Sequence, residues 1–476
     1  MASTKVTTAQ ATPASVEKID ILSSKTPGKT VSVLNGLIEI RYYESILQDS
    51  VMATVSFVDS GNTIEDEKGV IKSALEGLPI VGSERVEFSM TDNNENKLEY
   101  TFRVNKVTPI MDNTRESVVS LKLVSEEFEL NEEVRINKRF DGKPSDAVKR
   151  ILTEFLKTEK DISDIEESTE CGIIPAQKKP FYALNWLSQR CAPVGKEGTT
   201  AGFFFYETSK GYHFKSIDTL LSQEKKKSII YNETTDNRGA DIPEGYDITA
   251  LSYYKDNRID VQRKLESGFQ TTRMISFDLL DCSYQVSNPK LTDNEQSLSL
   301  GGKELPKMSD EIKSEGMKYS RTIYCIRDTG SLPSGSTQEQ LEKSKDENFK
   351  IDKIKNQAVM RYNSLYAATV EITIPGDFSL HAGNAVYFDA PSPQQDTKND
   401  DVDRQIGGLY IISALCHLVN AQGTYTKLNL VRDSFGRKAG KEPETGKPVT
   451  ETKIPGVQPS YQRTASYASY DTVTTF

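Results

Sequence analysis

Between Leu37 and Leu123 apolar residues recur mainly at every second position, in short runs divided by polar turns. Leu37, Ile38 and Ile40 lead into Tyr42 and Tyr43, and residues 51–58 place Val51, Ala53, Val55 and Phe57 on one face. A period of two is the repeat of a half-buried strand. Gly77-Leu78-Pro79 precedes Val86-Glu87-Phe88, which ends at the turn signal Asp92-Asn93-Asn94-Glu95-Asn96. Phe102, Val104 and Val107 follow, and beyond Asp112-Asn113 come Val119, Leu121 and Leu123. Strands divided by Asn/Asp-rich turns, with no long helix, predict a small antiparallel barrel or sandwich over 31–130. Residues 1–30, rich in Ser, Thr, Ala and Lys and without a sustained period, predict a flexible arm.

The period changes near residue 131. Ala147, Val148, Ile151, Leu152, Phe155 and Leu156 recur at helical spacing after Pro144, which stands where a missing N–H costs least. A second helix is predicted after Pro180, burying Ala183, Leu184, Trp186 and Leu187. Two aromatic runs, at 202–206 and 212–214, flank Thr208-Ser209-Lys210-Gly211 and predict a hairpin, so 131–243 reads as α+β. Strand character returns over 244–280, at Ile248, Leu251, Tyr253, Ile275 and Phe277. Residues 281–360 are charged and Gly/Ser-punctuated around a core-like Tyr324-Cys325-Ile326, which predicts a loop-rich insertion. Ile351, Ile354, Ala358, Tyr362 and Leu365 form an amphipathic helix stripe running into 361–436. Strands are predicted there at 369–374, 386–388, 409–415 and 425–431, with a polar loop over 389–408. Residues 437–476 hold too few aliphatics to build a core and read as an extended tail.

The two strand-rich blocks can be laid over each other. Ile80-Val81-Gly82-Ser83-Glu84-Arg85-Val86-Glu87-Phe88 aligns with Leu380-His381-Ala382-Gly383-Asn384-Ala385-Val386-Tyr387-Phe388. Phe102 and Val104 then match Tyr410 and Ile412, and Leu121, Leu123, Val124 and Phe128 match Leu428, Leu430, Val431 and Phe435. Their common order and nearly constant spacing predict one strand-built unit present twice, at 31–130 and at 244–280 plus 361–436, the second interrupted by the insertion.

The chain has 476 residues, more than one core sustains, so several domains are expected. It carries 59 basic and 69 acidic side chains, a net charge of −10 that argues against nucleic-acid binding by the surface as a whole. No apolar run reaches the roughly 18 residues of a membrane-spanning helix, and residues 1–30 lack a secretory signal. Five cysteines, odd in number and without a CxxC pair, predict neither a disulfide framework nor a zinc site, and suit synthesis in a reducing cytosol. His213, His381 and His417 occur without a GxSxG elbow and read as structural or surface histidines. HExxH, a calcium loop and phosphate-binding glycine loops are absent, and the Lys225-Lys226-Lys227 run reads as a solvated loop. No catalytic, cofactor-binding or metal-ligating residue is assigned, and neither a cofactor nor an enzymatic activity is expected. The spaced aromatics Tyr461, Tyr467, Tyr470 and Phe476 form a candidate docking tail, because aromatic anchors are favoured at interfaces.

Taken together, several motifs resemble the baseplate central hub of contractile-tailed, T-even-like bacteriophages. They are NEEVRINKRFDG at 131–142, Pro180-Phe181 with the following Leu184 and Leu187, and FFFYETSKGYHF at 203–214. Ser216-Ile217-Asp218-Thr219-Leu220-Leu221, Ile374-Pro375-Gly376, Ala382-Gly383, the strand at 410–415 with His417, and Leu430-Val431-Arg432-Asp433-Ser434 complete the set. The resemblance covers roughly 31–436, and the hub halves of type VI secretion spikes share much of it. It implies a mainly β, α+β chain with two tube-like antiparallel barrels, assembling as a homotrimeric ring of pseudo-sixfold symmetry. Such a virion component, assembled in the host cytoplasm, would adapt a hexameric tail tube to a trimeric central spike and contact neighbouring wedge proteins. DNA would pass only transiently through its channel, and carboxylates lining the bore would repel it within a Debye length of about 8–10 Å. A hub of a type VI or tailocin spike is an alternative, although those chains continue into an OB domain and a β-helix that residues after 440 do not match. A tail-associated cell-wall hydrolase is a further alternative, with no recognisable acid/base constellation to carry it.

Overall fold

The structure, a computed structural model, describes residues 11–24, 28–59, 64–65, 71–72, 80–112, 117–140, 142–169, 171, 173, 175–196, 199–231, 242, 245–256, 261–269, 271–277, 282–288, 290–306, 320–326, 335–339, 351–390 and 407–437. It is mainly β. The first strands are β1 (Ser15–Leu22), β2 (Thr30–Ser32), β3 (Leu37–Ser45) and β4 (Met52–Asp59). A two-residue pair follows, β5 (Ile64–Glu65) with β6 (Ile71–Lys72), and then β7 (Arg85–Thr91), β8 (Lys97–Asp112) and β9 (Ser117–Val124). As the alternation requires, Val51, Ala53, Val55 and Phe57 are all buried. The expectation of a flexible arm over 1–30 fails at β1, which lies between β7 and β2. Its Ile19 and Ile21, two residues apart in a polar stretch, are fully buried against that sheet.

The middle of the chain forms α1 (Glu126–Glu133), α2 (Pro144–Arg150), which continues as a π turn over Ile151–Phe155, and α3 (Pro180–Ser188). The hairpin of β10 (Phe203–Thr208) and β11 (Gly211–Ser216) leads into α4 (Ile217–Ser222). Ala147, Val148, Ile151, Leu152, Leu184 and Leu187 pack with Phe203, Phe205 and Phe214 in one core, while Trp186 is only partly buried at its margin. Lys160 ties this region to the first strands by ion pairs with Glu127 and Glu207 and a 2.7 Å contact with the Tyr100 hydroxyl.

Next come β12 (Lys227–Tyr231), β13 (Ile248–Ala250), β14 (Ser252–Asp256), α5 (Val261–Ser267), β15 (Thr272–Phe277), β16 (Tyr284–Ser287) and β17 (Arg321–Ile326). The last elements are α6 (Ile351–Leu365), β18 (Ala368–Pro375), β19 (Ala385–Asp389), β20 (Gly408–Asn420) and β21 (Gly423–Arg432). Two expectations change here. Lys227 opens β12, which runs parallel to β19, and Lys226 donates its backbone N–H to Ala385 and its ammonium to the Ser379 carbonyl. Lys227 is therefore built into the sheet, while Lys225 and Lys226 precede it in the loop. Strand β15 does not join the second strand block but forms a separate sheet, antiparallel to β16 and parallel to β17. It buries Thr272, Met274 and Ser276, and Thr272 bonds Asn356 of α6. The Ile275 and Phe277 face is consequently the outer one.

Fourteen strands share one sheet system made of two like parts. The first has the order β3-β4-β9-β8-β7-β1-β2, and the second β14-β18-β21-β20-β19-β12-β13. The first five strands of each are antiparallel throughout. Local details repeat as well. A bulge falls after Val104 in β8 and after Ile412 in β20. Ser83 donates to the Val104 carbonyl at 2.7 Å, as Gly383 does to that of Ile412 at 2.8 Å, and both donors have positive φ, 66° and 83°. The Glu84 side chain accepts the Val81 N–H, and the Asn384 side chain accepts the His381 N–H. Strand residues paired by the sequence alignment thus occupy like places, whereas Phe128 lies in α1 and packs with the helical core, unlike Phe435. No helix among the described residues is long and apolar enough to cross a membrane.

Candidate assembly surface

The two parts meet where β20 outruns β19. Beyond Ile411, β21 holds one edge of β20 and β3 takes the other, with Ala414 opposite Ser45, Cys416 opposite Tyr43 and Asn420 opposite Glu39. Strand pairing supplies the geometry and buried side chains fix the register. Tyr42 stacks on His417 at 5.8 Å between ring centroids, and Phe378 meets the same imidazole edge-on at 4.9 Å. Burial holds His417 down to about 4, against a smaller opposing pull from Glu44. Burial would raise the Glu44 carboxyl, but the hydrogen bond and charge of His381 and the N–H groups of Ser209 and Ala382 outweigh it and hold it at about 2. Those N–H groups lie at 2.8 and 2.9 Å, and the Tyr42 hydroxyl at 2.7 Å.

Two other edges face outward. Strand β8 is the counterpart of β20, but β7 pairs with it only as far as Arg103, and beyond Val104 its partner among the described strands is β9. Ile110 and Met111 on this extension are 62% and 47% exposed. Strand β14 is the counterpart of β3 and pairs with β18, and its Tyr254 is 55% exposed. A third apolar surface is the outer face of the small sheet, where Phe277, Tyr284, Tyr324 and Ile326 are exposed.

A polar cleft of about 290 Å³ lies beside the β10–β11 hairpin, lined by Asp164, Lys210, His213, Lys226 and His381 among others. Asp164 contacts His213 Nδ1 at 2.6 Å, and His213 Nε2 contacts the Thr208 hydroxyl at 2.8 Å. The His213 bond, with Lys215 assisting against partial burial, holds Asp164 at about 2. Periodicity and motifs do not reveal this line, because its members come from two segments joined only by folding. It has the order of an acid–base–hydroxyl relay, but Thr208 is 1% exposed and its oxygen already accepts the Lys210 N–H at 3.2 Å. A nucleophile needs an approach for the reacting carbon. The line braces the hairpin turn. All five cysteines are free thiols, and no group of three metal-ligating side chains occurs among the described residues. The aromatics Tyr461, Tyr467, Tyr470 and Phe476 lie outside the described residues. The sheet edges, which carry the contact between the two parts, were missed by side-chain periodicity; the adjacent apolar pair Ile110-Met111, which breaks the alternation of β8, was the available sign.

No protein-family model matches the chain, and no curated protein matches it. Solved structures do. The 43 kDa tail protein of prophage MuSo2 from Shewanella oneidensis aligns over 88% of this chain and 98% of its own, with 11% identity and a TM-score of 0.49. The tail protein from Neisseria meningitidis MC58 aligns over 87% and 96%, with 11% identity and a TM-score of 0.48. An E. coli component of the type VI secretion system, described as structurally similar to T4 bacteriophage tail proteins, aligns over 90% and 80%, with 10% identity and a TM-score of 0.41. The solved structures similar to this chain are thus phage tail proteins and type VI secretion proteins.

Proposed function

We propose that this chain is the structural central hub of a phage tail baseplate. Three copies close into a ring whose six strand-built units imitate sixfold symmetry. One face of the ring seats a hexameric tail tube, the other a trimeric spike, and the bore passes DNA. The observation that carries this reading is the duplication: two five-strand sets with one order, one set of directions and one bulge position, joined edge to edge within the chain. A chain bearing two equivalent units is what lets a threefold assembly present six similar surfaces. Each set further reads as a closed barrel. The end strand β2 runs through the Leu34–Gly36 turn into β3 at the opposite end of the first order, and β13 runs directly into β14 in the second. The domain scheme follows: the first barrel over 31–130 with β1 added, the α+β unit, a second barrel from 361–436 with β12, β13 and β14, and the small sheet as an appendage. Neighbouring baseplate proteins would bind around the rim, and the aromatic tail would serve as one tether. Electron microscopy of the purified protein tests the reading: threefold rings with six similar lobes around an opening are expected, and a solitary particle without an opening would overturn it.

A further inference from the structure

Within one chain, the second strand set grips the first by laying β20 along β3. The counterparts of those two strands, β8 and β14, lie at the outer ends of the pair of sets, each with its equivalent edge facing outward among the described strands. We propose that β8 of one chain pairs antiparallel with β14 of a second copy of the chain, repeating between chains the junction made inside one. This contact rests on the ring reading above and specifies which edges close the ring.

The internal junction also supplies the register. Cys416 opposite Tyr43 maps onto Thr108 opposite Asp256 and, past the bulge at Ile110, Leu418 opposite Arg41 maps onto Met111 opposite Tyr254. Met111 and Tyr254, 47% and 55% exposed in the single chain, are then brought face to face. An open edge carrying apolar side chains invites pairing with another chain, and burial against a second copy removes that hazard. The two edges differ from each other, so the contact is head-to-tail, and such contacts build rings where the rotation closes. One feature makes this junction shorter than the internal one. Pro109 stands in the place of His417 without an N–H, beside a second bulge between Pro109 and Met111. The interchain contact is therefore the weaker of the two.

Cysteine pairing in the full-length chain tests the assignment, with the exposed Cys282 replaced by Ser. Opposed residues of an antiparallel pair fall within the Cα separation a disulfide tolerates. Thr108→Cys combined with Asp256→Cys is expected, after mild oxidation, to give dimer and trimer bands on a non-reducing gel. The bands should disappear with reductant and be missing from either single variant. Tyr43→Cys, which faces the natural Cys416, is the control and should close within one chain. Met111→Cys with Tyr254→Cys reads the same face one paired step past the bulge, and covers the case in which the first pair fails to fold by circular dichroism. Trimers seen by native mass spectrometry without interchain bands from either pair, while the control closes, would overturn the edge assignment and leave the ring intact. A monomer at every concentration would overturn the ring reading itself, and the contact with it.

Discussion

The two strand sets differ most at their margins, and the difference separates what the repeat is from what has been fitted around it. Both sets share the five-strand meander. In the first, the two flanking places are filled by β1 and β2, antiparallel to their neighbours. In the second, the same places are filled by β12 and β13, which run parallel. A sheet edge accepts a strand of either direction, since both patterns satisfy its N–H and C=O groups. The meander is therefore the conserved unit within the chain, and the flanks are supplied by whichever segment passes. The strand ends diverge too. After β9 comes Glu126, half exposed and paired with Arg103. At the matching place after β21 comes Asp433, fully buried and held by Arg361, whose guanidinium also grips Asp218.

The largest effect is expected at that buried cluster. Arg361 lies 2.9 Å from Asp433 and 2.7 Å from Asp218, and both carboxylates are buried. Removing one member of a buried ionic group leaves uncompensated charge, at a cost of about 3–5 kcal/mol. Arg361→Ala should lower unfolding stability by that amount in a urea titration, with the denaturant slope unchanged. A loss below about 1 kcal/mol would mean that α6 is not anchored to the second set through these charges, and the contrast between the two strand ends would fail.

The internal junction gives the next effect, through acid. Glu44 is held at about 2, below its ordinary value, so its contribution is present above about pH 4.5 and is lost as pH falls toward 2. A shift of this size corresponds to about 3 kcal/mol. His417 is held at about 4, and its neutral form is the one that packs; an unfolded chain takes up a proton near 6.5 that the fold refuses. Its contribution is therefore complete above about pH 6.5 and declines between there and 4, by up to about 3 kcal/mol. Stability measured against pH should lose its lower slope in Glu44→Gln and its upper slope in His417→Gln. The position matching His417 in the first set is Pro109, so acid is expected to loosen the internal junction by a route the outer edge lacks. Unchanged slopes in both variants would remove that distinction.

A smaller effect of opposite sign is expected at the turn between β3 and β4. Burial pushes Asp49 up to about 6, with only the Asn185 side chain, 2.7 Å away, opposing it. A carboxyl raised in the fold weighs against folding as pH rises above its unfolded value near 3.8, and fully once pH exceeds its folded value. Asp49→Asn should therefore raise stability at pH 7.5 by about 1–2 kcal/mol and leave it nearly unchanged at pH 4. Equal effects at both values would show that the side chain's charge is not what matters there.

The meander was legible mainly through those strands buried on one face, where Val55, Leu121, Ile372 and Leu428 alternate with polar neighbours in the bare sequence. Helices α2 and α3 were legible for the same reason at a longer period, with Pro144 and Pro180 marking their starts. Strands β1 and β12 were not, and β15 was legible as a strand but not as part of a separate sheet. Their buried faces are short or polar, Ile19 and Ile21 alone in β1, and Thr272, Met274 and Ser276 in β15, and depend on partners supplied from elsewhere in the chain. The Asp164–His213–Thr208 line and the β20–β3 junction share that character. Each is a meeting of distant segments, which local periodicity cannot encode.

The smallest effect sharpens the comparison of strand ends from the other side. Arg103 and Glu126 occupy, in the first set, the surroundings where Arg361 and Asp433 are buried in the second, but Glu126 is about half exposed and its partner about a quarter. Water already solvates both groups, and the pair must hold two long side chains in one geometry. Exposed pairs of this kind contribute about 0.2–1 kcal/mol and weaken with salt. Arg103→Ala should therefore cost less than about 1 kcal/mol, and part of that cost should vanish in 0.5 M salt, whereas the cost of Arg361→Ala should be nearly insensitive to salt. Both variants delete a guanidinium that faces a carboxylate at equivalent strand ends, Glu126 after β9 and Asp433 after β21. The difference between them measures burial together with the second carboxylate, Asp218, that Arg361 holds, and equal, salt-sensitive losses would show that the end of β21 is wetter than its packing against α6 implies.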